Sequence, residues 1–311
     1  MKTIPKQRGR TDLTDIALGD VLPFIDWSGF FLAWRLTGGY KGIGEALHCA
    51  ACREGWLRSF GEAQREKASE ALKLHADAQE ALRNFHEEKS IRIQASLLLL
   101  PARSEGDNIV VQYEAEQYRL PMLRQQTPSS DGYCYCLADF VDTQDDYIGF
   151  FACSVQGAEQ MAAEAEVEDN SYRAILIKTL ADRLAEASAE YLHYHVRKHY
   201  WGYAPDEEAD IDAIHKTKYQ GIRPAVGYPS LPDQSLIFEL DKFIDYKRTG
   251  IRLTENGAMY PNASVSGMYF AHPQARYFAV GRIDAQQLED YARRRGRTSD
   301  EMRKWLAPNI D

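Results

Sequence analysis

The chain has 311 residues, 44% hydrophobic and 27% charged, which suits a soluble globular protein of one large or two ordinary domains. Its 37 basic and 46 acidic side chains give a net charge of −9, which argues against non-specific nucleic-acid binding. No apolar run approaches the ~18 residues that cross a bilayer, and the N-terminal stretch has no apolar signal core. The expectation is a cytoplasmic protein with no membrane or nucleic-acid partner, whose five cysteines are reduced thiols.

Residues 1–20 are charged and glycine-broken, and read as an arm or linker ahead of one unit spanning 21–311. Residues 21–36 are dense in aromatics, with Asp26 a lone acid between Ile25 and Trp27. Two roles suit it: the N-cap of a short helix running to Leu36, or a carboxylate aimed at a ligand amine. Residues Thr37 to Gly44 fit the Thr-Gly-x-x-x-Gly-x-Gly phosphate loop of short-chain dehydrogenases, and Tyr194 with Lys198 matches their Tyr-x-x-x-Lys pair. A nicotinamide-dependent reductase is therefore an alternative function. That loop must follow a strand and belong to a run of βαβ units, yet a charged helical stretch follows it here. Cys49 and Cys52 form a Cys-x-x-Cys without the second close pair that a structural zinc site needs, and read as incidental thiols.

Residues 58–89 place Ala68, Ala71, Leu72, Ala78, Leu82 and Phe85 at helical spacing. The period then changes. Residues 91–100 and 109–114 read as a strand hairpin, and 133–141 and 147–155 as two further strands. Residues 156–170 read as a helix. Residues 172–200 form the strongest helix, with an apolar stripe from Leu176 to Val196. Asp182, Glu186 and Glu190 step by four along one face, as on a solvated surface paired with Lys178, Arg183 and Arg197. His195 and His199 have the spacing of metal ligands and also that of ordinary exposed helix histidines. An acidic loop follows at 206–212. Residues 235–249 read as a helix closed by Gly250, residues 251–254, 264–271 and 276–283 as short strands, and 284–295 as a helix stopped by Gly296. Thr298 with Glu301 is a capping box. Strand runs flanked by long helices imply α+β rather than a doubly wound sheet.

Between these elements lies Tyr-Gln-Gly-Ile-Arg-Pro-Ala-Val-Gly-Tyr-Pro-Ser-Leu-Pro, residues 219–232. Its prolines fix φ and its glycines permit positive φ. As a bare stretch it fits a surface connector. With Arg223, Tyr219 and Tyr228 in a stiff frame it also fits a clamp that holds a carboxylate beside a flat ring.

Residues 221–233 resemble the Arg-x-x-x-Gly-Tyr signature of the activation domain of cobalamin-dependent methionine synthase. Further segments match in the family's order: Ile25-Asp-Trp27, Tyr135 to Val141, Leu180 to Ala187, Tyr200 to Pro205, Ala263 to Gly267, Tyr277 to Val280 and Trp305 to Pro308. The resemblance runs from about residue 20 to the C-terminus and weakens between about 38 and 120. It implies a single α+β domain, with a bent antiparallel sheet flanked by long helices, that binds S-adenosyl-L-methionine. It further implies docking on a cobalamin-binding partner whose cofactor has fallen to inactive cob(II)alamin. There a flavodoxin or similar donor supplies an electron and S-adenosylmethionine the methyl group. Carried onto this sequence, Arg223 suits the ligand carboxylate and Asp26 its ammonium. Glu186 adds a polar contact, and Tyr228, Tyr277 and Phe278 line the adenosine, with Ala225 in the same frame. No catalytic residue or metal ligand is expected, because the methyl group leaves toward a nucleophilic cobalt. Asp182 is a candidate for the face toward the cobalamin domain. The chain carries no cobalamin-binding Asp-x-His-x-x-Gly motif, so the expectation is a subunit working in trans on a methionine synthase. A ligand-free interaction module for another corrinoid protein is the remaining alternative.

Overall fold

The computed structural model describes residues 3–208 and 210–310; positions 1, 2, 209 and 311 fall in the expected arm, the acidic loop and the C-terminal end. The chain opens with β1 (Gly9–Ile16), α1 (Leu18–Val21), α2 (Trp27–Ala33), α3 (Ile43–Ala46), α4 (Ala50–Arg58) and the long α5 (Glu62–Glu88). Then come β2 (Arg92–Glu105), β3 (Asn108–Tyr113), β4 (Glu116–Pro121), β5 (Asp146–Gln156), α6 (Ala158–Val167) and α7 (Ser171–His195). After α8 (Ile211–His215) and α9 (Leu236–Ile244), the chain adds β6 (Arg252–Leu253), β7 (Met259–Tyr260) and β8 (Ser264–Tyr269), and closes with α10 (Ala285–Arg295) and α11 (Ser299–Trp305).

The main sheet runs β4-β3-β2-β5-β8, with β1 also paired to β2, and every pairing is antiparallel. β2 is its axis. Period two sends Ile93, Ala95, Leu97 and Leu99 to one face and Leu98, Leu100 and Ala102 to the other. The first set packs with α2, α5, α6 and α7, the second with α9 and Tyr246. Burial on both faces explains why β2 reads as a continuous apolar run rather than an alternating one. A small third cluster, with Leu288, Tyr291, Met302 and Leu306, seats α10 and α11 against Leu123, Val280 and Ile283.

The fold class matches the expectation, and several elements do not. Residues 3–20 are not a free arm. Gly9 to Ile16 pairs with β2 from Leu99 to Ile93, and Gln7 N–H donates to the Tyr200 carbonyl. Its charges looked like those of a linker because they are satisfied across the sheet: Asp12 accepts from Ser96 and Arg248. No strand forms at 133–141. There Asp139 captures the Cys136 N–H and starts a 3₁₀ turn over Leu137–Phe140. Residues 276–283 are extended without a ladder, and β4 went unanticipated. The helix expected over 235–249 breaks at Asp245, which has φ +54, and resumes as a 3₁₀ turn that buries Tyr246. Cys49 and Cys52, expected as thiols, are disulfide-paired at the start of α4. The loop at 37–44 follows α2 rather than a strand and opens only the four-residue α3, so the context a dinucleotide loop requires is missing there.

All six apolar positions expected on α5 are buried, joined by His75. That imidazole packs edge-on against Trp27 at 4.4 Å, and burial lowers its pKa to about 4. The folded chain refuses a proton that the unfolded chain accepts near 6.5. This contribution to stability is complete above about pH 6.5 and is lost as pH falls toward 4. It is worth at most about 3 kcal/mol. In urea denaturation, His75→Phe is expected to show a shallower loss of stability between pH 7 and 4.5 than the unsubstituted chain; parallel pH profiles would refute this role.

Candidate functional site

The proline-glycine loop is held as an irregular added strand on β8. Ile222 exchanges both backbone hydrogen bonds with Phe270, Met268 N–H donates to the Pro224 carbonyl, and Val226 N–H donates to Ser266. Contact this close depends on Gly267, where an added Cβ would stand 2.1 Å from the Pro224 oxygen. Gly227, at φ +87, then turns the chain so that its N–H reaches the Leu231 carbonyl. The loop is therefore fixed at both ends of the Arg223-to-Tyr228 segment.

Opposite it stands α7. Asn170 caps its start by accepting from Arg173 N–H, and Leu176, Leu180, Leu184 and Leu192 bind it to the sheet. At Val196–Tyr200 the helix widens into a π turn, a distortion common at functional sites. Loop and helix enclose a cleft of about 590 Å³, within the range of small-molecule sites. Asp26, Glu186, Arg223, Ala225, Tyr228, Tyr277 and Phe278 all line it, so the structure brings every sequence-derived candidate to one place. Asp26 takes the first of its suggested parts: Oδ1 caps α2 by accepting from Ser28 N–H, and the residue also lines the cleft. Gly29 makes room for this, since a Cβ there would lie 2.9 Å from Asp26 Oδ2 and 3.0 Å from Arg183 Nη1. Tyr277 accepts a hydrogen bond from Arg223 N–H at 3.0 Å, and Val280 N–H ties the Tyr277-Phe278 segment to Pro229. Asp182 is exposed one turn before Glu186.

The electrostatics were only partly foreseen. Glu190 and Arg197, read as parts of a solvated helix face, are buried. Arg223 Nε donates to Glu190 Oε2 at 2.9 Å, and its Nη1 lies 3.6 Å from Glu186 Oε2. Glu186 in turn accepts from the Tyr228 hydroxyl. Behind Glu190, Arg197 lies 3.6 Å from Oε1 and grips Glu207 with a two-pronged fork at 2.8 and 2.9 Å, while its guanidinium covers the Tyr219 ring at 4.0 Å. Burial works against the Arg223 charge, but Glu190 foremost, then Tyr277 and Glu186, holds its pKa well above the ordinary arginine value. His193 stacks on Tyr269. Burial, reinforced by Arg197 and Arg223, drives its pKa well below the usual histidine value and keeps the ring neutral. The available signal for a buried Glu190 was its setting among Ala187, Ser188, Ala189 and Leu192, where the helix offers too little polar surface for a solvated face. Phe24, Ile214, His215 and Thr217 also line the cleft and were missed; they sit on short elements without a motif.

The other motifs stay outside this site. Lys198 Nζ donates to the Glu207 carbonyl and lies over the Tyr194 ring at 5.2 Å, so that pair serves the helix end. Among the described residues, no group of three or more His, Cys, Asp or Glu side chains could hold a metal ion, and no helix is long and apolar enough to cross a membrane.

The α+β scaffold thus carries an acidic, tyrosine-lined cleft with Arg183 and Arg223 in its wall. Comparison with known proteins is more specific. The family described as vitamin B12 dependent methionine synthase, activation domain, matches residues 17–296, and the chain belongs to that family. A crystal structure described as the MetH reactivation domain bound to AdoHcy superposes with a TM-score of 0.88 at 38% identity, covering 100% of this chain and 93% of that one.

Two substitutions test the construction of the cleft. Gly267→Ala forces the loop off β8 and is expected to destabilise the chain by roughly 1–3 kcal/mol, with faster amide exchange at Val226 and Met268. Gly39→Ala, where an added Cβ meets nothing within 4 Å, is the control; equal behaviour of the two would refute the constraint. Arg197→Met leaves Glu207 without its buried partner and Glu190 with Arg223 alone, and is expected to cost about 3–5 kcal/mol in chemical denaturation. A loss below about 1 kcal/mol would show that the pair is solvated.

Proposed function

We propose that the cleft binds S-adenosyl-L-methionine and presents its methyl group to a cobalamin-binding partner of methionine synthase, supporting reductive methylation of inactive cob(II)alamin. The observation that carries this reading is the convergence of Asp26, Glu186, Arg223, Tyr228 and Tyr277 from four separate segments on one cleft. The donor set fits the ligand. Arg223 makes its protein hydrogen bond through Nε, which leaves the Nη groups to take a carboxylate. Asp26 and Glu186 suit the ammonium and the sulfonium, since both are cations in an acidic surround. Tyr228, Tyr277 and Phe278 offer faces and edges for the adenosine, and Ala225 keeps the floor low beneath it.

The corrinoid, carried by the partner, supplies the electron-rich cobalt that accepts the methyl group. A flavodoxin or similar protein supplies the electron. The tasks left to this chain are binding and orientation. No residue in the cleft needs to act as a general base, because no proton leaves the donor during methyl transfer. What the loop and α7 contribute is a fixed bearing for the sulfonium methyl, toward which the reacting metal is brought. Asp182, exposed beside Glu186, belongs to the face that meets the partner. No observation favours the reductase alternative, whose loop lies outside the cleft.

Isothermal titration with S-adenosylmethionine tests the site. The unsubstituted chain is expected to bind, and Arg223→Ala to bind at least ~30-fold more weakly, because truncating one member of a buried charge pair costs about 2–5 kcal/mol. NADH is expected to give no heat. Equal affinity of the two proteins for S-adenosylmethionine would overturn the assignment.

A further inference from the structure

The family and the motif direct attention to Arg223, yet the structure shows that this arginine does not position itself. Its backbone belongs to the loop, and its guanidinium is anchored by a residue of another element. Glu190 is almost wholly buried, at 7% exposure, and spends one oxygen on Arg223 Nε at 2.9 Å. Its other oxygen, Oε1, makes no hydrogen bond and faces two further groups of α7 and its π turn: Arg197 Nη1 at 3.6 Å and His193 Nδ1 at 3.9 Å. His193 is held neutral and Arg197 is committed to Glu207. The charges therefore alternate along a line from the interior to the cleft: Glu207, Arg197, Glu190, Arg223, Glu186. Glu190 is the only member of this line that touches both arginines.

We infer that Glu190 is the positioning residue that makes the cleft selective for a ligand bearing an α-amino-acid carboxylate; this rests on the proposed S-adenosylmethionine site. A carboxylate that grips Nε fixes the plane of the guanidinium and turns its Nη edge outward. A bidentate partner needs that orientation, because the five donors of arginine lie in one rigid plane. Glu190 does not touch the ligand. Without it, Arg223 keeps its charge but loses its plane, and Glu186, already 3.6 Å from Nη1, is free to occupy the edge meant for the ligand. A cation lacking the carboxylate does not use that edge and is insensitive to its orientation.

The test compares S-adenosylmethionine with decarboxylated S-adenosylmethionine, which keeps the sulfonium, amine and adenosine. For the unsubstituted chain the first ligand is expected to bind at least ~30-fold more tightly, the same margin assigned to the Arg223 contact. In Glu190→Gln that preference is expected to shrink by roughly tenfold, about one charge-assisted hydrogen bond, with affinity for the decarboxylated ligand changed less than about twofold. Glu190→Asp retains the charge but withdraws it by one methylene; it is expected to fall between and supplies the comparison should the glutamine variant fail to fold. In an Arg223→Ala background, Glu190→Gln is expected to leave the preference unaltered. Equal weakening of both ligands, or an unchanged preference, would overturn the positioning role. An unsubstituted chain that binds neither ligand would instead overturn the proposed function itself.

Discussion

The contact on which the cleft depends is the ion pair between Arg223 and Glu190, because it joins the two elements that form the walls. The loop is anchored to β8 and α7 is packed on the sheet face, and their facing side chains meet through this buried bond and, nearer solvent, through Glu186 with Tyr228 and Arg223. Buried ion pairs are poor sources of net stability, since desolvation offsets most of their Coulomb attraction. Here the cost is spread over a line of alternating charge that begins at Glu207 and ends at the solvent-facing Glu186. Each interior charge has an opposite neighbour, so none is left uncompensated. The arrangement gives the arginine a defined direction, which a surface arginine lacks.

The same economy shapes the backbone. A binding loop that carries three prolines cannot join a regular ladder, because each proline lacks a donor. The structure pairs it with β8 where donors remain, at Ile222 and Val226, and lets Gly267 absorb the closeness of Pro224. The loop thereby inherits the rigidity of the sheet's edge without continuing its regular geometry. A site mounted this way is held more accurately than one on a free loop, as the proposed methyl transfer to an external acceptor would demand.

Much of this was legible in the sequence, and what was not has physical reasons. The long helices and β2, β3 and β5 announced themselves by period, and the cleft residues by a chain of matching segments. Gly9 to Ile16 was misread because an edge strand can satisfy its charges across the sheet and so looks like a solvated linker. Residues 133–141 alternate like a strand, but one side chain, Asp139, diverts the backbone into a turn. Glu190 and Arg197 were assigned to solvent because a step of four on a helix carries no information about which face is covered. Only the tertiary packing of the π turn and of Tyr219 decides that. Local pattern thus located the residues that line the cleft, while the residues that hold them in place emerged from contacts 10 to 33 positions apart.

The charge distribution also bears on turnover. Under the proposed function the donor arrives with a sulfonium, and the product left behind is a neutral thioether. On that reading Asp26 and Arg223 meet an ammonium and a carboxylate common to both ligands. The acidic surround would therefore discriminate between donor and product only through the sulfonium charge. An acidic surround that prefers the cation would favour release of the neutral product, a preference that solvent exposure of Asp26 keeps modest by screening its charge. Under the proposed function, an exposed Asp26 and a buried Glu190 on the same cleft would separate the residue that meets the ligand's charge from the one that fixes the arginine.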